Sequence, residues 1–98
     1  MTRYLIEMDF PEHKSTDFIL RIPEQRARVE QMIKQGEIQD YILNEARTKL
    51  WIVVDAENEP TAREKVGLLP LTAFSTCRVH SLLFHHSAQA MLPPVMLN

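Results

Sequence analysis

Glycine occurs only twice in the 98-residue sequence, as Gly36 and Gly67, which excludes a glycine-rich loop of the kind that cradles phosphates. Cysteine occurs once, as Cys77, so no internal disulfide and no paired-cysteine metal site can form. No two Lys or Arg residues are adjacent, and the net charge is −2, so the sequence lacks the electrostatic footprint of a nucleic-acid binder. No apolar run is long enough to span a bilayer, and no signal-peptide pattern is present, so the expectation is a cytoplasmic protein without a membrane partner. Histidine is present four times, but His13, His80, His85 and His86 follow no HxH or HExxH spacing, and adjacent residues such as His85 and His86 point apart on an extended chain. No metal and no other cofactor is expected.

What is there is ordinary globular composition, 45% hydrophobic and 24% charged, in a chain the size of one small domain. A core of this size is thin, and pairing of subunits would help it. The sequence divides into a folded domain over 1–86 and a tail over 87–98, which carries Met91, Leu92, Val95, Met96 and Leu97 around Pro93 and Pro94. Dangling apolar residues are costly in water, so the tail is expected either to be a flexible terminus or to lie across a neighbouring subunit.

RYLIEMDF alternates, with Tyr4, Ile6, Met8 and Phe10 on one side and Leu5, Glu7 and Asp9 on the other, as a half-buried strand requires. Ser15 or Thr16 can cap a helix whose apolar face runs through Phe18, Ile22, Val29, Met32 and Ile33 to Gly36. Pro23 inside that pattern predicts a kinked or two-part helix. EQRARVEQMIKQ reads as its solvated face, with Glu30 and Lys34 spaced for an ion pair. QDYILNE and KLWIVVDA read as strands joined at Ala46, Arg47 and Thr48. NEPTAREKVGLL predicts a second helix with Asn58 or Glu59 as cap, Ala62, Val66 and Leu69 on its apolar face, and Pro70 as its stop. FSTCRVHSLLF alternates again, setting Phe74, Thr76, Arg78, His80, Leu82 and Phe84 against Cys77 and Val79. The order predicts an α+β, ferredoxin-like βαββαβ protomer with a four-stranded antiparallel sheet.

IPEQRARVEQMIKQG, KLWIVVDAENE, LLPLTAF and VHSLLFHHS resemble, in order and spacing, the muconolactone Δ-isomerase family of the dimeric α/β-barrel superfamily. The resemblance covers roughly residues 4 to 87 and rests on Gly36, Asp55 and Leu69-Pro70-Leu71, none of them catalytic. It implies a dimeric α/β-barrel, with the open sheet face packed on that of a second copy. It also implies charges exchanged as a pair at residues 7 and 78, which suits a salt bridge working in either orientation. The residues point independently to a mixed open face of Leu5, Glu7, Trp51, Val53, Arg78 and His80, which looks like an interface or a partly apolar cavity.

His80 is the candidate proton shuttle, as imidazole is the side chain suited to gaining and losing a proton near neutrality, with Glu7 beside it; an isolated strand histidine is also commonly a hydrogen-bonded structural residue. Arg78 is a candidate for holding a substrate carboxylate, or for pairing with Glu7 across the first and fourth strands. Trp51, Tyr41 and Phe84 are candidate cavity walls or core. Cys77 alternates onto the helix side as an inert small hydrophobe. The functional expectation is cofactor-independent proton-transfer chemistry, isomerase-like, on a small lactone or organic acid. The alternatives are a non-catalytic small-molecule-binding or assembly module, and a cofactor-free monooxygenase of the same superfamily.

Overall fold

A computed structural model describes residues 1–86. Strand β1 (Thr2–Asp9) leads into α1 (Thr16–Leu20) and α2 (Ile22–Lys34). Strands β2 (Ile38–Leu43) and β3 (Lys49–Ala56) follow, then α3 (Glu59–Gly67), a 3₁₀ turn (Pro70–Phe74) and β4 (Thr76–Ser81). The sheet is antiparallel with order β2-β3-β1-β4, so the α+β ferredoxin-like expectation is met. The alternation of apolar positions explains the layers. Ile6 and Met8 on β1 and Ile52 and Val54 on β3 have no accessible surface, and α2 and α3 cover them with Val29, Met32, Ala62 and Val66.

The first helix does divide at Pro23. Proline lacks the N–H that would bond back into the preceding turn, so α1 ends at Leu20 and α2 starts afresh with Pro23 in its first turn. Ser15 Oγ accepts from Phe18 N at 3.1 Å and Asn58 Oδ1 from Thr61 N at 2.9 Å, each satisfying a helix-end donor. Gly36, at φ +77°, turns the chain from α2 into β2. The β2–β3 turn is tied by Asn44, whose Oδ1 accepts from both Thr48 N and Lys49 N at 2.9 Å. Arg47 takes a left-handed conformation there, at φ 61°.

Four expectations need correction. Leu69 and Phe74 belong to neither the second helix nor the fourth strand: Leu69 precedes the 3₁₀ turn, buried, and Phe74 ends it, with its ring 5.5 Å from Phe18. Pro70 starts that turn because its fixed φ suits a first helical position. Gln25, read as solvated, is 3% exposed and donates to Tyr41 Oη at 3.0 Å while accepting from Leu71 N at 3.1 Å. On α2 the ion pair joins Glu24 to Arg28, at 3.6 Å, instead of Glu30 to Lys34. The apolar tail lies outside the described residues. No helix among the described residues is long and apolar enough to cross a membrane.

Candidate functional site

The register builds the site. Glu7 pairs with Arg78 and Leu5 with His80 across β1 and β4, while Glu7 faces Trp51 on β3. Because alternate residues share a face, Glu7, Arg78, His80 and Trp51 all stand on the side of the sheet away from the helices. Glu7 Oε1 lies 2.8 Å from His80 Nε2, a diagonal contact, and Oε2 lies 3.2 Å from Arg78 Nη2. Arg78 Nη1 reaches Asp9 Oδ2 at 2.7 Å, and Asp9 meets Lys49 at 3.4 Å. A ladder of charge thus crosses β4, β1 and β3.

The bonds from Arg78 and His80 hold the Glu7 carboxyl below its ordinary value of 4.5, against a smaller opposing effect of burial. At Asp9 burial pushes upward, but the bond and charge of Arg78 together with Lys49 outweigh it, and the net direction is down from 3.8. Arg78 is pushed up by its bonds to Glu7 and Asp9. An ionised carboxylate can only accept, so Glu7 selects the His80 tautomer that carries hydrogen on Nε2. Nδ1 is then left as a lone-pair base on a ring that is about half exposed, its side chain 47% accessible.

Tyr41 does not join this group. It pairs with Ile52, a core position, so its side chain lies on the helix side of the sheet against the core. Phe84 lies beyond β4, exposed, with its ring 4.8 Å from that of His86. Arg78 has both terminal nitrogens on Glu7 and Asp9, which favours the cross-strand pairing over a free clamp for a substrate carboxylate. Cys77 faces the core side as a partly buried free thiol.

A second cluster went unread in the sequence. Arg3 Nε bonds Asp55 Oδ1 at 2.9 Å, and Gln39 Nε2 donates to Asp55 Oδ2 at 2.9 Å. Arg3 Nη1 donates to His85 Nδ1 at 2.9 Å, and His85 Nε2 lies 2.7 Å from Asp40 Oδ2. Arg3 is on β1 and Asp40 on β2, so the His85 ring spans β3 between them. Val53, expected to be bare on the open face, pairs with both Leu5 and Asp40 there and is only 6% exposed. The Arg3–Asp55 pairing follows from strand register and could have been anticipated; the return of His85 across the sheet has no local signal. No group of three or more His, Cys, Asp or Glu side chains able to hold a metal occurs among the described residues.

No protein-family model matches the chain, and no curated protein matches it. Among solved structures it is similar to a muconolactone isomerase, at 13% identity and a TM-score of 0.68, over 88% of this chain and 93% of that one. It is also similar to MtbAldR, at 14% identity and a TM-score of 0.55, over 88% of this chain and 55% of that one. At these identities the likeness shows a shared fold and not membership of a family.

Proposed function

We propose that the open sheet face is a proton-transfer site and that the protein is a cofactor-independent, isomerase-like enzyme acting on a small lactone or related organic acid. The observation that carries this reading is the 2.8 Å contact between Glu7 and His80, with Glu7 pinned on its other oxygen by Arg78. His80 Nδ1 takes a proton from a carbon next to the substrate carbonyl and returns it to another carbon of the same molecule, so no electron leaves and no co-reactant is needed. Glu7 fixes the tautomer and stabilises the imidazolium that forms in between. Arg78 is a positioning residue for Glu7, and Trp51 offers an apolar wall for the substrate body.

The protomer alone leaves this group on an open surface, and a second copy packed sheet to sheet would roof it. Half-buried Trp51 and Leu5 with exposed Ile42 support that assembly, as apolar residues among the charges. Light scattering at micromolar concentration should report at least twice the 11.4 kDa of one chain; a monomer would remove the roof from the proposal. The same mixed face also suits a non-catalytic small-molecule binder or assembly module with this fold.

Exchange of lactone ring protons with deuterated solvent, followed by NMR, separates the two. The enzyme reading expects exchange that falls by about 10²–10⁴-fold in His80→Ala while the oligomer persists. Unchanged exchange in the variant takes His80 out of the mechanism. An intact oligomer that exchanges no lactone supports the non-catalytic module.

A further inference from the structure

On the covered side of the sheet, away from His80, α1, α2 and the β2–β3 hairpin leave a cleft of about 370 Å³. Small-ligand pockets commonly fall between roughly 300 and 1,000 Å³. Its walls are apolar but not sealed: Ile19 and Leu43 are 53% and 49% exposed, beside the more buried Phe18 and Ile22. Isolated exposed apolar residues are normal, but here two from different elements face one hollow.

The charge at this cleft has one sign. Lys14, Arg26 and Arg47 line it, and no lining residue is acidic. Five cations elsewhere pair with carboxylates, Arg3 with Asp55, Arg28 with Glu24, Lys49 with Asp9, Arg63 with Glu59 and Arg78 with Glu7 and Asp9, whereas Arg21, Lys34 and Lys65 form no such pair among the described residues. None of the three cleft cations forms such a pair among the described residues. Lys14 donates instead to the Pro11 carbonyl and stands 5.6 Å from the centre of the Phe18 ring.

The lining also carries a polar pair, Gln25 and Tyr41. Tyr41 Oη accepts from Gln25 Nε2 at 3.0 Å, and its own hydrogen has no acceptor among the described residues. Burial raises the phenol above its ordinary value of 10.0, outweighing the Gln25 bond and the nearby Arg26 charge, so the hydroxyl remains a donor at neutral pH. Gln25 cannot swing away, since its carbonyl holds Leu71 N at 3.1 Å.

We propose that this cleft binds a small amphipathic carboxylate, its head met by Arg26, Arg47, Lys14 and the Tyr41 hydroxyl and its short apolar body laid on Ile19, Ile22 and Leu43. Charge complementarity selects the occupant: a neutral ligand gains the apolar contact alone, and a cationic one is repelled. The site is independent of the His80 face, so the failure of either reading leaves the other standing.

The test is a titration of the full ¹⁵N-labelled chain with octanoate, 1-octanol and octylammonium, followed by amide NMR. Octanoate should shift Ile19, Ile22 and Leu43 saturably, with octanol several-fold weaker and octylammonium silent. Replacing Lys14→Gln, Arg26→Gln and Arg47→Asn together should weaken octanoate roughly tenfold and leave octanol unchanged. Asparagine is chosen at position 47 because it tolerates the left-handed backbone there. Equal binding of octanoate and octanol overturns the proposal, and so do octanoate shifts confined to Glu7 and His80. The wild-type comparison of the three ligands decides the matter even where the triple variant unfolds. Cleft signals that respond to protein dilution and ignore octanoate would show a segment of another copy in the cleft, which also overturns it.

Discussion

The two faces of the central strands differ although they are made from alternate residues of the same eight-residue segments. On the covered face, Ile6 and Met8 of β1 meet Ile52 and Leu50 of β3 with almost no accessible surface. On the open face, the residues in between are Glu7 and Asp9 against Trp51 and Lys49, in ion pairs that cross to β4. Apolar burial contributes roughly 1.5–3 kcal/mol for each large side chain, whereas partly exposed ion pairs contribute little. Stability therefore resides on one face. The other is free to hold charges in a geometry chosen for orientation, and Glu7 holding the His80 tautomer is that kind of arrangement.

The contrast can be tested by substitutions in matched places. The largest effect is expected at Ile6→Ala, which removes a side chain with no accessible surface and should cost about 2–5 kcal/mol in urea denaturation. Its neighbour Leu5→Ala, on the open face, should cost clearly less at low protein concentration. The gap should narrow as concentration rises if two copies bury that face. Equal costs at every concentration would erase the distinction between the faces.

Next comes the one polar intrusion into the covered face. Gln25→Leu keeps the bulk but strips Leu71 N and the Tyr41 hydroxyl of their partner, and should cost about 1–3 kcal/mol by the same measurement. A neutral outcome would mean that water replaces the amide there.

The smallest effect is expected on the open face itself, in the acid limb of the stability profile. Glu7 and Asp9 titrate below 4.5 and 3.8 when folded, so the unfolded chain binds protons more readily. Their stabilising contribution is complete above those ordinary values and is lost as pH falls through the lower folded ones. Glu7→Gln should flatten the fall in melting temperature below about pH 4.5 and leave it nearly unchanged at pH 7 in slope. An acid limb as steep in the variant as in the parent would show that the Glu7 bonds do not persist in solution.

Period-two alternation in RYLIEMDF and KLWIVVDA was legible because each side chain's face is set by its neighbours in sequence alone, and it put Glu7 and Trp51 on the open side. The same alternation placed Arg78 and His80 with them once the fold paired the first and last strands. Tyr41 was left open between cavity wall and core because QDYILNE alternates weakly, and a shift in register at Gln39 decides which side chains of β2 turn inward. Gln25 looked like any polar residue on a charged helix, since nothing local marks the tyrosine and the backbone N–H that it serves from 16 and 46 positions away.

The sequence by itself determined the order of the strands and α-helices, an interruption at Pro23, the helix caps to within one residue of Ser15 and Asn58 and the alternation of the strands, because each depends on backbone chemistry within a few residues. Only the tertiary structure decided that His80 bonds Glu7 along a diagonal, that His85 crosses β3 to join Arg3 to Asp40, and that Lys14, Arg26 and Arg47 gather at one cleft. Those depend on strand register and on how helices settle on the sheet. Both are fixed by the packing of the whole core, which no local run of residues encodes.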